Sequence, residues 1–228
     1  MMAQTVPDFA SARQFMVDSQ LRPTKVTHAA LLDAMRRIPR EKFLPPALYS
    51  VAYADQDVEL GHSRVLMAPL AFARLAQGLA PVAGERILVV GAGVGYGAAV
   101  LAACGARVTA LESEAALIAA ARSGFQEAGV TVAIQEGDLH EGVPGVQAWD
   151  AILIEGMVDA VPPAVAAQLR EGTGRLVTVL SQPSFPGAGP TGIAVRGERQ
   201  GTSLAVRPLF DCQTAALPGF GKVPEFEF

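Results

Sequence analysis

Hydrophobic residues recur along this chain with two alternating periods, and the alternation predicts the architecture. Residues 8–20 and 27–37 carry apolar side chains at helical spacing. In the second stretch Ala30, Leu31, Ala34, Met35 and Ile38 share a face, Thr27 is placed to cap the start, and Pro39 ends it. Residues 43–61 hold Pro45, Pro46, Asp55, Asp57, Glu59 and Gly61 without a sustained period, which predicts an irregular loop layer. A further helix is expected from Pro69, where proline suits a first turn, to about Leu79.

From residue 86 onward the pattern changes to short apolar runs separated by helical stretches. Strands are predicted at 86–90, 107–111, 130–136, 149–154 and 175–180, with helices from about Tyr96, over 113–128 and from Pro162. Strands alternating with helices give right-handed crossovers and a parallel sheet whose carboxyl ends lie on one side, where such sheets take their ligands. After Leu180 the Pro- and Gly-rich segment 181–192 reads as a long loop. Residues 193–196 and 203–210 then read as an antiparallel hairpin, since no helix separates them. The expected fold is α/β: a doubly wound, mostly parallel sheet with a C-terminal antiparallel hairpin and an N-terminal helical extension. Residues 1–80 are expected to pack on a core formed by 81–228 as one structural unit.

Composition narrows the function classes. With 228 residues and 50% hydrophobic content the chain can bury a core of its own. No apolar run reaches the roughly 20 residues of a membrane helix, and the first residues, with Gln4, Pro7, Asp8 and Arg13, lack the form of a signal peptide, so a cytoplasmic protein is expected. A net charge of -4, with Lys25, Lys42 and Lys222 as the lysines and arginines scattered, argues against nucleic acid as a partner. The arginine pairs Arg36–Arg37 and Arg196/Arg199 read as solvated surface. Cys104, placed in a helix, and Cys212, near a late strand, are too few and too far apart for a disulfide framework or a metal site and read as buried thiols.

The candidate chemistry lies where Ile87-Leu88-Val89-Val90 runs into Gly91-Ala92-Gly93-Val94-Gly95-Tyr96-Gly97. Glycines let a turn after a strand bring its backbone against a ligand before a helix begins. Glu112, at the end of the next strand, is spaced to accept hydrogen bonds from the two ribose hydroxyls of an adenosine-containing ligand. The glycine spacing alone leaves dinucleotides and S-adenosylmethionine both open. Gly137-Asp138 follows the third strand, and the fourth ends at Glu155-Gly156.

Five parallel strands followed by a hairpin, an acid after the second strand and Gly-Asp after the third resemble the class I S-adenosylmethionine-dependent methyltransferases. Within that class the chain resembles the protein-L-isoaspartate O-methyltransferase family over roughly residues 30–210. The resemblance runs through Phe43-Leu44-Pro45, Tyr53-Ala54-Asp55, Leu60-Gly61, Pro69, 87–96, 98–102, Gly137-Asp138, Trp149-Asp150-Ala151-Ile152, Val161-Pro162, Gln168-Leu169 and Gly174-Arg175-Leu176-Val177. It implies methyl transfer from S-adenosylmethionine to the free α-carboxylate of an isoaspartyl residue in a protein or peptide, yielding S-adenosylhomocysteine, after which the ester collapses to a succinimide that can reopen as aspartate. It also implies cofactor contacts from Gly91, Ala92, Gly93, Gly95, Tyr96, Glu112, Ser113, Asp138 and Leu139, with Glu112 on the ribose and Asp138 on the adenine amino group.

Two departures from the family pattern redirect attention. Where the family carries Thr-Ile-Ser-x-Pro, this chain has Val65-Leu66-Met67-Ala68-Pro69, so Met67 stands at the serine position and a thioether cannot donate to a carboxylate. Ser63 and Arg64 lie just upstream, and Arg64 either binds a carboxylate bidentately or is a loop arginine; His62 is a weaker candidate. The family's acid two residues before the first glycine is Val89 here, and Glu155 stands in place of a small residue at the tip of the fourth strand. Glu155 either repels an anionic substrate or recognises the cofactor ammonium in place of the lost acid, and the second is preferred. Methyl transfer to another acceptor, and cofactor binding without transfer, are the competing functions. Phe220, Phe226 and Phe228 lie outside the matched core and are expected to dock on their own domain.

Overall fold

The computed structural model describes residues 8–146, 148–183 and 191–220. Seven strands form one sheet around β3 (Arg86–Val90), flanked on one side by β4 (Arg107–Glu112) and β5 (Ala133–Glu136) and on the other by β6 (Ala151–Val158), β7 (Arg175–Ser181), β8 (Gly192–Gln200) and β9 (Ser203–Cys212), in the order β5-β4-β3-β6-β7-β8-β9. β3 through β7 pair in parallel, and β8 and β9 close the edge antiparallel. Ile87, Leu88, Val89 and Val90 are all buried, as a central parallel strand covered on both faces requires.

The helices α3 (Pro69–Leu79), α4 (Tyr96–Ala103) and α5 (Ala115–Ala128) cover one face together with α1 (Phe9–Phe15) and α2 (Ala29–Arg37). The opposite face buries Leu88, Val90, Leu111, Trp149, Ile152, Ile154 and Leu176 under the short α6 (Pro163–Ala166). One apolar cluster runs from Met16 through α2 and α3 to Cys212, so the N-terminal helices bury their apolar side against the sheet layer. Gln77 on α3 pins the approach to α2: its Oε1 accepts the N–H groups of Thr27 and His28 at 2.6 and 3.1 Å, and its Nε2 donates to the Lys25 carbonyl at 3.0 Å.

Several local expectations are corrected. The first helix continues beyond α1 as a π-helical turn over Met16–Leu21. α2 is capped by His28, whose ring nitrogen accepts from the Leu31 N–H at 3.3 Å, because Thr27 is engaged by Gln77. The loop layer contains an antiparallel hairpin, β1 (Val58–Gly61) with β2 (Arg64–Leu66). β6 runs through Glu155 and Gly156 to Val158, absorbing an irregularity between Leu153 and Met157, where a strand end was expected. The helix from Pro162 is a single turn, and Cys104 lies just past the end of α4. Both thiols are free and buried, and burial pushes each up to about 11. Of the arginine pairs, Arg37 is exposed, as expected, and donates to the Ala103 carbonyl at 2.7 Å, while Arg36, Arg196 and Arg199 are half-buried, Arg36 pairing with Asp18 at 2.7 Å and Arg199 donating to the Ala167 and Leu169 carbonyls at 2.6 Å. Among the described residues no helix is long and apolar enough to cross a membrane. Phe220 docks on its own chain, whereas Phe226 and Phe228 lie outside the described residues.

Candidate functional site

Sheet register brings the chemistry level. Val90 pairs with Leu111 on one side and Ile154 on the other, so Gly91, Glu112 and Glu155 follow side by side at the carboxyl edge. Gly91, Gly93 and Gly95 have φ of 71°, 54° and 87°, a region that costs other residues about 1–2 kcal/mol. The Gly91 and Ala92 N–H groups tie the turn to β4, donating to the Leu111 carbonyl at 3.0 and 3.1 Å, and the Gly95 N–H closes the turn on the Ala92 carbonyl at 2.8 Å. Gly95 has a second constraint, since a Cβ there would lie 2.6 Å from the Phe125 ring and 2.9 Å from Ala121.

Glu112 is fully buried, and both of its carboxylate oxygens are engaged. Oε1 accepts from the N–H groups of Ser113 and Glu114 at 2.8 and 3.2 Å. Oε2 accepts from the Gly93 N–H at 2.7 Å and from Nη2 of Arg64. Those bonds give the buried charge the partners it needs. They also fix the side chain against the glycine turn, and Nη2 of Arg64 lies 3.3 Å from where a Cβ on Gly91 would stand.

Arg64 reaches this position from the β1–β2 hairpin. His62 and Ser63, the two residues of its turn, have φ of 53° and 54°. A two-residue hairpin with both centres left-handed normally takes Asn or Gly, so the turn is held in a costly backbone that delivers the next residue inward. Arg64 is 6% exposed, while Ser63 is exposed. Outside the hairpin an open depression of about 470 Å³ is lined by Glu59, Ser63, Arg64, Val65 and Ala215, so Arg64 is shared between the Glu112 carboxylate and that depression.

Glu155 lies deeper, under the first turn of α4. A Cβ on Gly97 would overlap its carboxyl group, with Oε1 and Cδ at 2.8 Å, so a larger residue fits there only where the Glu155 carboxyl gives way. Burial pushes the Glu155 carboxyl up to about 8, against the opposing pull of Arg40 and Arg64 and with help from Glu112. Its Oε2 has no hydrogen-bond partner, nor do the buried Tyr96 hydroxyl and Nη1 of Arg40. Arg40 is fully buried, donates to the Ala52 carbonyl at 2.7 Å and to the Met67 carbonyl, and lies 4.8 Å from the Tyr96 ring centroid.

The sequence-derived set is therefore divided. Glu112, Ser113, Gly91, Ala92, Gly93 and Glu155 meet at the carboxyl edge, and Arg64 joins them. Tyr96 turns into the core, its ring edge-on to Phe43 and Phe72 at 5.7 Å, because a residue opening a helix beside the turn points back under the sheet layer. Met67 is 1% exposed and belongs to the same core, so its thioether faces no open depression. Asp138 is exposed, accepts from the His140 N–H at 2.8 Å, and is held below its usual range by that bond. Leu139 beside it is buried.

Two features escaped the sequence reading. Residues 215–217 cross the carboxyl edge as a strap. The Met157 N–H donates to the Ala215 carbonyl at 3.1 Å and the Leu217 N–H to the Met157 carbonyl at 2.8 Å, which puts Leu217 within 3.0 Å of a would-be Cβ on Gly91. Phe220 then stacks on His140 with centroids 4.0 Å apart, beside a depression of about 570 Å³. Asp57 ties the strap down, accepting from the Thr214 hydroxyl at 2.8 Å and from the Ala68 N–H before α3 at 2.7 Å.

A family model described as protein-L-isoaspartate(D-aspartate) O-methyltransferase matches residues 12–184. A Methylorubrum extorquens protein named protein-L-isoaspartate O-methyltransferase is 43% identical over 181 residues, covering 79% of each chain. A Koribacter versatilis protein of the same name is 34% identical over 212 residues, covering 92% of each. Among solved structures, one named protein-L-isoaspartate O-methyltransferase superposes with a TM-score of 0.76 at 24% identity, covering 91% of this chain and 66% of the other.

Proposed function

This chain belongs to the protein-L-isoaspartate(D-aspartate) O-methyltransferase family, and on that premise we propose that it transfers the methyl group of S-adenosylmethionine to the free α-carboxylate of an isoaspartyl residue in a protein or peptide. The observation that carries the reading is the carboxyl edge itself. A backbone-anchored acid stands level with a left-handed glycine turn, and a guanidinium, the side chain best shaped to receive a carboxylate, stands beside it.

The residues present fit a ribose-bearing, cationic cofactor. Glu112 would accept the ribose hydroxyls, Gly91 and Gly93 would let the backbone lie close, and Ser113, Asp138 and Leu139 would border the adenine. The unpartnered Oε2 of Glu155 would meet the ammonium group. Because burial keeps the Glu155 proton on up to about pH 8, taking a cation there entails losing that proton. When bound, the cofactor supplies a methyl group on a positively charged sulfur.

An acceptor carboxylate is already ionised and would meet that methyl group as an anion held in line by the protein. No proton moves, so the protein needs no general base at this step; positioning and exclusion of water carry the rate. Arg64, with Ser63 beside it, would hold the acceptor's carboxylate at the depression outside the hairpin. Burial of Met67 where the family has a hydroxyl favours a second reading, methyl transfer to a different acceptor.

The test is transfer of labelled methyl to an isoaspartyl peptide and to its aspartyl counterpart. The proposal expects label on the isoaspartyl peptide alone, lost in Glu112→Ala; label on neither, with S-adenosylhomocysteine still bound, would favour the second reading.

A further inference from the structure

We propose that Arg64 is an alternating group, held on Glu112 until the cofactor ribose takes that carboxylate, and thereby released to receive the α-carboxylate of the acceptor. The inference rests on the methyltransferase reading above, and adds to it an order of events and a residue that enforces it.

Glu112 cannot serve the ribose and Arg64 through the same oxygen geometry. Its Oε1 is fixed by the Ser113 and Glu114 N–H groups and its Oε2 by the Gly93 N–H, so the direction that Nη2 of Arg64 occupies is the one through which a ribose hydroxyl would approach. The guanidinium also lies against Gly91, in the space a cofactor would need beside the glycine turn. Leu217 from the strap borders the same space, its two Cδ atoms 3.0 and 3.1 Å from where a Cβ on Gly91 would stand. Displacing Arg64 frees its guanidinium beside the depression lined by Glu59, Ser63, Val65 and Ala215, where an acceptor peptide's carboxylate would compete with Glu59 for it.

The coupling is reciprocal. If the cofactor must displace Arg64, its apparent affinity is reduced by the fraction of molecules in which the pair is closed, and anything that holds Arg64 outward must tighten cofactor binding by the same factor. The strained His62–Ser63 turn supports the arrangement, since it gives Arg64 a short, stiff mount.

The experiment measures binding of S-adenosylhomocysteine by calorimetry to the wild-type chain, Arg64→Gln and Arg64→Lys, each first shown to be folded by circular dichroism. Calorimetry then follows an unlabelled isoaspartyl peptide with and without S-adenosylhomocysteine. Arg64→Gln is expected to bind S-adenosylhomocysteine about tenfold more tightly than wild type. Arg64→Lys, which keeps a less well shaped cation, should fall between the two. Wild type should bind the peptide about tenfold more tightly once S-adenosylhomocysteine is present, and Arg64→Gln should lose that difference. Equal or weaker S-adenosylhomocysteine binding in both folded variants overturns the proposal, as does peptide binding by wild type that ignores S-adenosylhomocysteine. The nucleoside measurement needs no acceptor, so a failed displacement is distinguishable from a wrong methyl acceptor, which would appear as no peptide binding under any condition.

Discussion

Replacing Gly97 by alanine tests whether the Glu155 carboxyl is as tightly enclosed as its contacts imply. Gly97 is not among the left-handed glycines, and in the first turn of α4 an alanine should gain about 1 kcal/mol of helix stability. Against this, its Cβ would overlap the buried Glu155 carboxyl, with Oε1 and Cδ at 2.8 Å, and overpacking of that kind costs about 1–3 kcal/mol. The sign of the net change thus depends on Glu155. In a Glu155→Ala background the obstruction is gone, and the same Gly97→Ala change should stabilise by up to about 1 kcal/mol. The interaction energy between the two positions should be about 1–3 kcal/mol. In thermal unfolding each kcal/mol moves Tm by about 2–4 °C for a chain of this size. A double-mutant cycle by urea denaturation reads it directly. Additivity within about 0.5 kcal/mol would refute the enclosure of Glu155.

Two further outcomes follow from the buried charges. The unfolded chain releases the Glu155 proton near its ordinary value of 4.5 and the folded chain near 8, so the folded state holds more protons in between and this residue makes stability fall as pH rises from about 4.5 to about 8. Glu155→Gln should remove that slope in urea unfolding at pH 5, 7 and 9; parallel profiles for the two proteins would contradict the assignment. Arg175 donates to the carbonyls of Leu79 and Ala80 at the end of α3 and holds both oxygens of Glu85 at 2.9 and 2.6 Å. Arg175→Lys cannot reproduce that fork and should lower stability by about 1–3 kcal/mol, whereas a loss under about 0.5 kcal/mol would show the network to be dispensable.

Much of the sheet was legible because its strands are buried on both faces. The short, largely β-branched apolar run 87–90, bounded by a glycine turn, reads as a strand covered on both faces, and the acid after the next strand is level with that turn because parallel register carries it there. The β1–β2 hairpin was hidden, since His62 and Ser63 give none of the Asn-Gly signal of such turns. Arg64 could be nominated for carboxylate chemistry from its position beside the altered loop, but its Glu112 partner, 48 residues away, is a product of tertiary structure. Tyr96 shows the opposite case: it belongs to the glycine motif in sequence, and only the packing of Phe43, Phe72 and Arg40 shows that its ring turns into the core. The strap at 215–217 has no pattern of its own. Its place is set by Asp57 and Met157, which are distant in the chain.

The most direct test of the account is to incubate the protein with S-adenosylmethionine and a purified isoaspartyl peptide, and to follow the peptide by chromatography and mass spectrometry. The account predicts a transient methyl ester, then succinimide, with the aspartyl peptide accumulating, and none of these products from Glu112→Ala. An isoaspartyl peptide that stays unchanged, while the wild-type protein binds S-adenosylhomocysteine, would contradict it.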